Sequence, residues 1–200
     1  MNYPNGKKHS ATNKEHHLVK KQSFSNRGMT LEEDINVTNQ VLHQQNKCVV
    51  HKKPTPVQIV KVDYPKRSAA VIKEAYFKQA STTDYNGVYR GRYIDFEAKE
   101  TKNKTAFPLT NFHAHQIEHM REVVAHGGIS FVIIRFQPHN RTFFLPAMKL
   151  FAYWERQYKG GRKSIPYQDI VEHGIEMPTG YPVIVNYLSV IDQLFFRMEE

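Results

Sequence analysis

Asp84 and the later run Ile94-Asp95-Phe96-Glu97-Ala98-Lys99 hold the residues whose types and spacing could do chemistry. Read as a strand, this run alternates Arg92, Ile94, Phe96 and Ala98 with Tyr93, Asp95, Glu97 and Lys99, so the period of two puts Asp95, Glu97 and Lys99 on one side. Carboxylates brought together repel unless a cation neutralises them, and hard oxygen ligands select Mg²⁺ or, as a substitute, Mn²⁺. Such a cation binds a phosphodiester oxygen and acidifies water, the two things that phosphodiester hydrolysis needs. An ammonium beside it, here Lys99, orients the water or stabilises charge building in the transition state. The plain alternative is a surface hairpin on which Glu97 and Lys99 form an exposed pair of little worth.

Those residues need elements to carry them. Thr82 to Val88 and Gly91 to Lys99 read as strands or a hairpin. Thr30, with Glu33 three positions on, forms a capping box for a helix through Ile35, Val37, Val41 and Leu42 that ends near Asn46. Cys48 to His51 extends as a short strand before Pro54 and Pro56 interrupt regular structure. Val57 to Val62 reads as a strand, Asp63 to Lys66 as a turn, and Ala69 to Phe77 as helix or strand without a clean period. Thr110 or Asn111 caps a helix through Ile117, Met120, Val123 and Val124, stopped by Gly127-Gly128. Ile129 to Phe136 is apolar enough for a buried strand, and Thr142 to Leu145 for a shorter one. Helices are expected over Ala147 to Tyr158, Pro166 to His173 and Pro182 to Met198. The order is that of an α/β fold of the α+β kind, a mixed sheet flanked by helices.

The 200-residue chain carries 28 Lys and Arg against 19 Asp and Glu, a formal charge of +9 that favours a polyanionic partner, nucleic acid first. Its single cysteine, Cys48, excludes an intrachain disulfide and a multi-cysteine zinc site, which suits a reducing compartment. No apolar run has the length of a membrane span and no secretory h-region opens the chain, so a cytoplasmic protein is expected. Residues 1 to 27 read as a basic, disordered tail that could lie on phosphates through Arg27, and 28 to 200 as one domain. Within that domain, 54 to 80 reads as a projecting arm in which lysines and arginines interleave with Tyr64, Tyr76 and Phe77. Lys66 and Arg67 suit phosphate contact, and Tyr76 or Phe77 suit base stacking. Solvated lysines beside core aromatics are the alternative there.

Together, Asn26-Arg27-Gly28-Met29, Ser81-Thr82-Thr83-Asp84-Tyr85, Gly91 to Lys99 and Phe112-His113-Ala114-His115-Gln116 resemble the RecU Holliday junction resolvases of Gram-positive bacteria, from about Asn26 to the C-terminus. Asp84 and Glu97-Ala98-Lys99 alone resemble the wider PD-(D/E)xK, restriction-endonuclease-like nuclease core. The resemblance implies a homodimeric, Mg²⁺-dependent endonuclease that nicks two opposed strands of four-way branched DNA in recombination and repair, with 54 to 80 as a stalk. It assigns Thr82, Asp84, Glu97 and Gln116 to the metal site and Lys99 to the transition state. Thr83 stands where the wider signature has proline, a departure that RecU-like sequences share. Thr82 and Gln116 are chosen on the resemblance alone. It also brings recombinase and branch-migration proteins into view as partners.

Three other readings remain open on the residues. His113, His115 and His119 could gather zinc, since 115 and 119 share a helix face. The basic tail and arm could belong to a non-catalytic DNA-binding or strand-exchange accessory protein. The same core could cut linear duplex at a defined sequence, as a restriction-type enzyme does.

Overall fold

A computed structural model describes residues 29–78, 82–177 and 179–196, so the tail expected over 1 to 27 lies outside the described residues. The chain divides into two units, one containing 55–79 and the other containing 29–54 and 80–200.

In the larger unit Thr30 caps α1 (Leu31–Gln44) as its sequence demands. Its hydroxyl accepts from the Glu33 amide at 3.2 Å, and its own amide donates to the Glu33 carboxylate at 2.7 Å. β1 (Val49–Lys52) pairs antiparallel with β4 (Tyr85–Tyr89), and a Cβ on Gly87 would stand 2.0 Å from the Val49 carbonyl, so only glycine admits β1 there. β4 turns into β5 (Arg92–Thr101) through Arg90-Gly91, at φ 48° and 74°. A two-residue turn with both residues left-handed matches the twist of a hairpin and fixes its register.

From β5 the chain crosses over through β6 (Ala106–Pro108), a 3-10 turn at Leu109–Asn111 and α2 (Ala114–Ala125) to β7 (Ile129–Phe136), which lies parallel to β5. β8 (Arg141–Pro146), α3 (Ala147–Tyr158), β9 (Ser164–Pro166), α4 (Tyr167–His173), β10 (Ile175–Met177) and α5 (Tyr187–Ile191) follow. The sheet order is β1-β4-β5-β7-β8-β10, mixed and flanked by helices as expected, while β6 and β9 form a separate two-stranded ribbon.

Alternation splits the core between the sheet's two faces. Ile94, Phe96, Phe131, Ile133 and Phe144 pack with Leu31, Ile35 and Leu42 of α1 and Tyr187 and Leu188 of α5. Tyr85, Phe96, Phe131 and Phe144 stack across four strands at centroid spacings of 4.9, 4.7 and 4.1 Å. On the opposite face Val132, Ile134, Phe143 and Leu145 meet Ile117 and Met120 of α2, Leu150 and Phe151 of α3, and Ile170 of α4. Glu97, in register with Val132, belongs to this second face.

Several boundaries differ from the sequence reading. α2 starts at Ala114 with His113 as its N-cap, because the Phe112 amide bonds back to the Leu109 carbonyl and keeps Thr110 and Asn111 in a 3-10 turn. The helix expected from Pro182 shrinks to α5 and a π turn at Asp192–Phe196. A Thr179–Val185 bridge and the bond from the Val185 amide to the Thr38 hydroxyl hold the preceding stretch extended, and Asn186 then caps the helix. β6, β9 and β10 have three residues each, too few for alternation to show.

The smaller unit is an antiparallel ribbon of β2 (Val57–Asp63) and β3 (Val71–Phe77), joined through a 3-10 turn at Arg67–Ala69 and irregular in register between Ile59 and Val62. Of the stretch expected as helix or strand over Ala69 to Phe77, Val71 to Phe77 is strand while Ala69 closes the 3-10 turn, and every residue of both strands is exposed. Among the described residues no helix is long and apolar enough to cross a membrane.

Candidate active site

The Arg90-Gly91 turn sets the site. With Tyr85 opposite Phe96, Asp84 comes to lie beside Glu97, and the Asp84 amide donates to Glu97 Oε2 at 3.1 Å. The Asp84 carboxylate points back at β5, accepting from the Ala98 amide at 3.4 Å. Lys99 Nζ lies 2.5 Å from Glu97 Oε1 and 4.0 Å from Asp84 Oδ2. The three residues read from the sequence as a unit are one.

Gln116 joins them from the first turn of α2. Its Nε2 donates to Glu97 Oε1 at 2.8 Å, while its own Oε1 accepts from the His113 amide at 3.0 Å. In this geometry the amide orients Glu97 and ties the helix start to the strand. Thr82 is half-buried one residue before Thr83, the buried residue that leads into Asp84.

Glu97 is fully buried, and that burial, helped by the Asp84 charge, pushes its carboxyl up to about 7 against the opposing pull of Lys99. Burial works against the charge on Lys99, but Glu97 and then Asp84 outweigh it and hold the ammonium above its ordinary value. One ammonium thus leaves the pair of carboxylates under-compensated. The site has hard oxygen donors, a half-exposed opening at Asp84, and an unmet demand for positive charge, which fit a divalent cation such as Mg²⁺.

Asp95, placed by alternation on the same side but given no role by the sequence, is the centre of a second buried cluster. Its Oδ2 receives Lys53 Nζ at 2.8 Å, the Tyr93 hydroxyl at 2.9 Å and His119 Nε2 at 3.2 Å, and its Oδ1 receives the Thr83 hydroxyl. Nothing local in the sequence pairs Lys53, or His119 with its spacing of a zinc candidate, with Asp95. The histidines do not converge. His113 and His115 stack at 5.3 Å while His119 turns to Asp95, and among the described residues no three His, Cys, Asp or Glu could hold a metal together.

Most of the residues expected to meet DNA belong to the smaller unit. Lys66, Tyr76 and Phe77 are exposed on the ribbon unit, Phe77 at 84% and Tyr76 at 61% with its hydroxyl donating to Glu74. Arg67 lies in the ribbon's 3-10 turn. Arg27 lies outside the described residues.

The model of the family described as Recombination protein U matches residues 26–193. The protein of Geobacillus kaustophilus named Holliday junction resolvase RecU is 60% identical over 196 residues, covering 98% of both chains. Those of the same name in Bacillus mycoides and Bacillus thuringiensis are 59% and 58% identical over 197 residues, again covering 98% of both. Among solved structures, Archaeoglobus fulgidus Hjc, a Holliday junction resolvase, overlaps 71% of this chain and 94% of its own at a TM-score of 0.40 and 12% identity. With the family model spanning the site and near-full-length relatives at this identity, the chain belongs to the RecU family.

Proposed function

We propose that this protein is a Mg²⁺-dependent endonuclease that resolves four-way DNA junctions by paired phosphodiester hydrolysis, acting as a homodimer, with Mn²⁺ able to replace Mg²⁺. The observation that carries the chemistry is the convergence of Asp84, Glu97 and Lys99 on a hairpin whose register is fixed by its turn. The choice of substrate rests on the names of its relatives. A two-fold dimer is a direct way to nick a nearly two-fold junction at matched positions.

Asp84 and Glu97 would hold the cation, which when bound would supply positive charge for a phosphate oxygen and lower the pKa of water for attack at neutral pH. Glu97, held by Gln116 and the Asp84 amide, keeps its carboxylate in place without solvent help. Asp84, the more open of the two, faces the side from which a phosphate can approach. Lys99 keeps its proton and places positive charge at the rim, where it offsets the charge that builds as the bond to the leaving oxygen breaks. The exposed Tyr76 and Phe77 of the ribbon offer faces for unpaired bases, and Lys66 and Arg67 charge for phosphates. A protein that meets recombinase and branch-migration proteins in the cytoplasm completes the reading.

The test is a labelled four-way junction and a linear duplex, each mixed with wild type or Asp84→Ala in Mg²⁺ or EDTA, with nicks mapped. Paired symmetric nicks on the junction alone, requiring Mg²⁺ and Asp84, are expected. Binding without cleavage in every lane would replace the reading with an accessory protein, and one cut in linear duplex with a restriction-type enzyme.

A further inference from the structure

We infer that Asp95 is a positioning residue of the active site, which acts through Thr83 and Lys53 to hold the Asp84 backbone so that its carboxylate meets Glu97. The inference rests on the metal-dependent reading of that site.

Asp95 is fully buried, and four side chains from separate parts of the body satisfy it: Lys53 just beyond the end of β1, Thr83 before β4, Tyr93 on β5 and His119 on α2. Taking a carboxylate out of water is costly, and an apolar residue would pack such a position more simply. A fully satisfied buried network instead selects one geometry among several.

That geometry is centred on Asp84. The Asp84 carboxylate is weakly held, with one amide at 3.4 Å, Lys99 at 4.0 Å and 28% of the side chain exposed. Its placement therefore depends on its backbone. The Asp84 carbonyl accepts from the Lys53 amide at 2.8 Å, and the preceding residue, Thr83, is bonded to Asp95. Lys53 Nζ also bridges to the Thr83 hydroxyl at 3.0 Å. Lys53 and Thr83, which lie on either side of residues 55–79 in sequence, therefore meet on one carboxylate. On α2, His119 sits one turn after Gln116, so Asp95 and Glu97 are parallel rungs from β5 to one helix face.

The experiment uses the full chain with Asp95→Asn, Thr83→Val and Thr83→Ser. Mn²⁺ binding is measured by calorimetry without DNA, junction affinity in EDTA, cleavage against Mn²⁺ concentration, and thermal melting. Asp95→Asn and Thr83→Val are expected to weaken Mn²⁺ binding by roughly 10- to 100-fold, the range for residues that orient metal ligands. Cleavage should recover at high Mn²⁺, junction affinity should hold, and Thr83→Ser, which keeps the hydroxyl, should behave as wild type. Should Asp95→Asn not fold, the Thr83 pair decides. Wild-type Mn²⁺ binding by Thr83→Val, equal loss in Thr83→Ser, or a loss that only tracks the unfolded fraction would overturn the inference. A wild type that binds Mn²⁺ yet cuts no junction would defeat the resolvase reading while leaving this one intact.

Discussion

The body and the ribbon solve opposite problems with the same strand chemistry. In the body, β5 and β7 are covered on both faces, and all eight residues of β7 are buried. In the ribbon, β2 and β3 carry Val57, Ile59, Val60, Val62, Val71, Ile72, Tyr76 and Phe77, all exposed. An isolated two-stranded ribbon is marginally stable in water, so those side chains do not serve a core of their own. The lesson is that the apolar residues of the body set stability, and those of the ribbon are available for contact with something else.

Several substitutions would break or sharpen that contrast. The largest effect is expected in the body at Asp84→Ala or Glu97→Ala, where loss of a cation ligand should lower junction cleavage by about a thousandfold or more, roughly 4 kcal/mol of transition-state stabilisation. Single-turnover assays should show this with junction affinity in EDTA retained. Next, Phe131→Ala, in the middle of the aromatic stack, should cost about 3–5 kcal/mol in denaturant unfolding, whereas Val62→Ala in the ribbon should stay within about 0.5 kcal/mol. Equal losses at both positions would erase the distinction. Phe77→Ala should leave melting unchanged and weaken junction binding by about 1–3 kcal/mol if a base stacks there; unchanged binding would remove Phe77 from the interface. Thr30→Ala should cost about 1 kcal/mol of stability through loss of the α1 cap.

The smallest effect concerns pH. A hydrogen bond from Arg141 holds the Glu176 carboxyl below its ordinary value and ties β8 to the edge strand β10. A folded-state value below the unfolded one gives stability that is present above the unfolded value and lost as pH falls through the folded one. Glu176→Gln should therefore melt slightly below wild type at neutral pH, a small loss because the pair is exposed, and converge with wild type in acid, which flattens part of the decline on acidification.

Much of this was legible in the residues. Thr30 and Glu33 announce their capping box because both partners lie within one turn. Glu97 and Lys99 announce a shared face because a strand's period is two, and the unbroken Ile129 to Phe136 run announces a strand covered on both sides. The three-residue strands were not legible, since periodicity needs more residues than they have. The late start of the last helix was not legible either, because Thr38, far away in sequence, holds the Val185 amide.

By itself the sequence determined what repeats or bonds locally: the elements, the pairing of Asp84 with Glu97-Ala98-Lys99, the basic balance, and motifs dense enough to point to a family. Tertiary structure alone decided that Gln116 presents its amide nitrogen to Glu97, that His119 faces Asp95 rather than a metal, and that Lys53 and Thr83 share that carboxylate. Those contacts join residues 12 to 42 positions apart, where no local spacing records the pairing. They exist because one hairpin register and one parallel crossover bring the chain after β1, the start of β4, β5 and α2 together around Asp95 and Glu97.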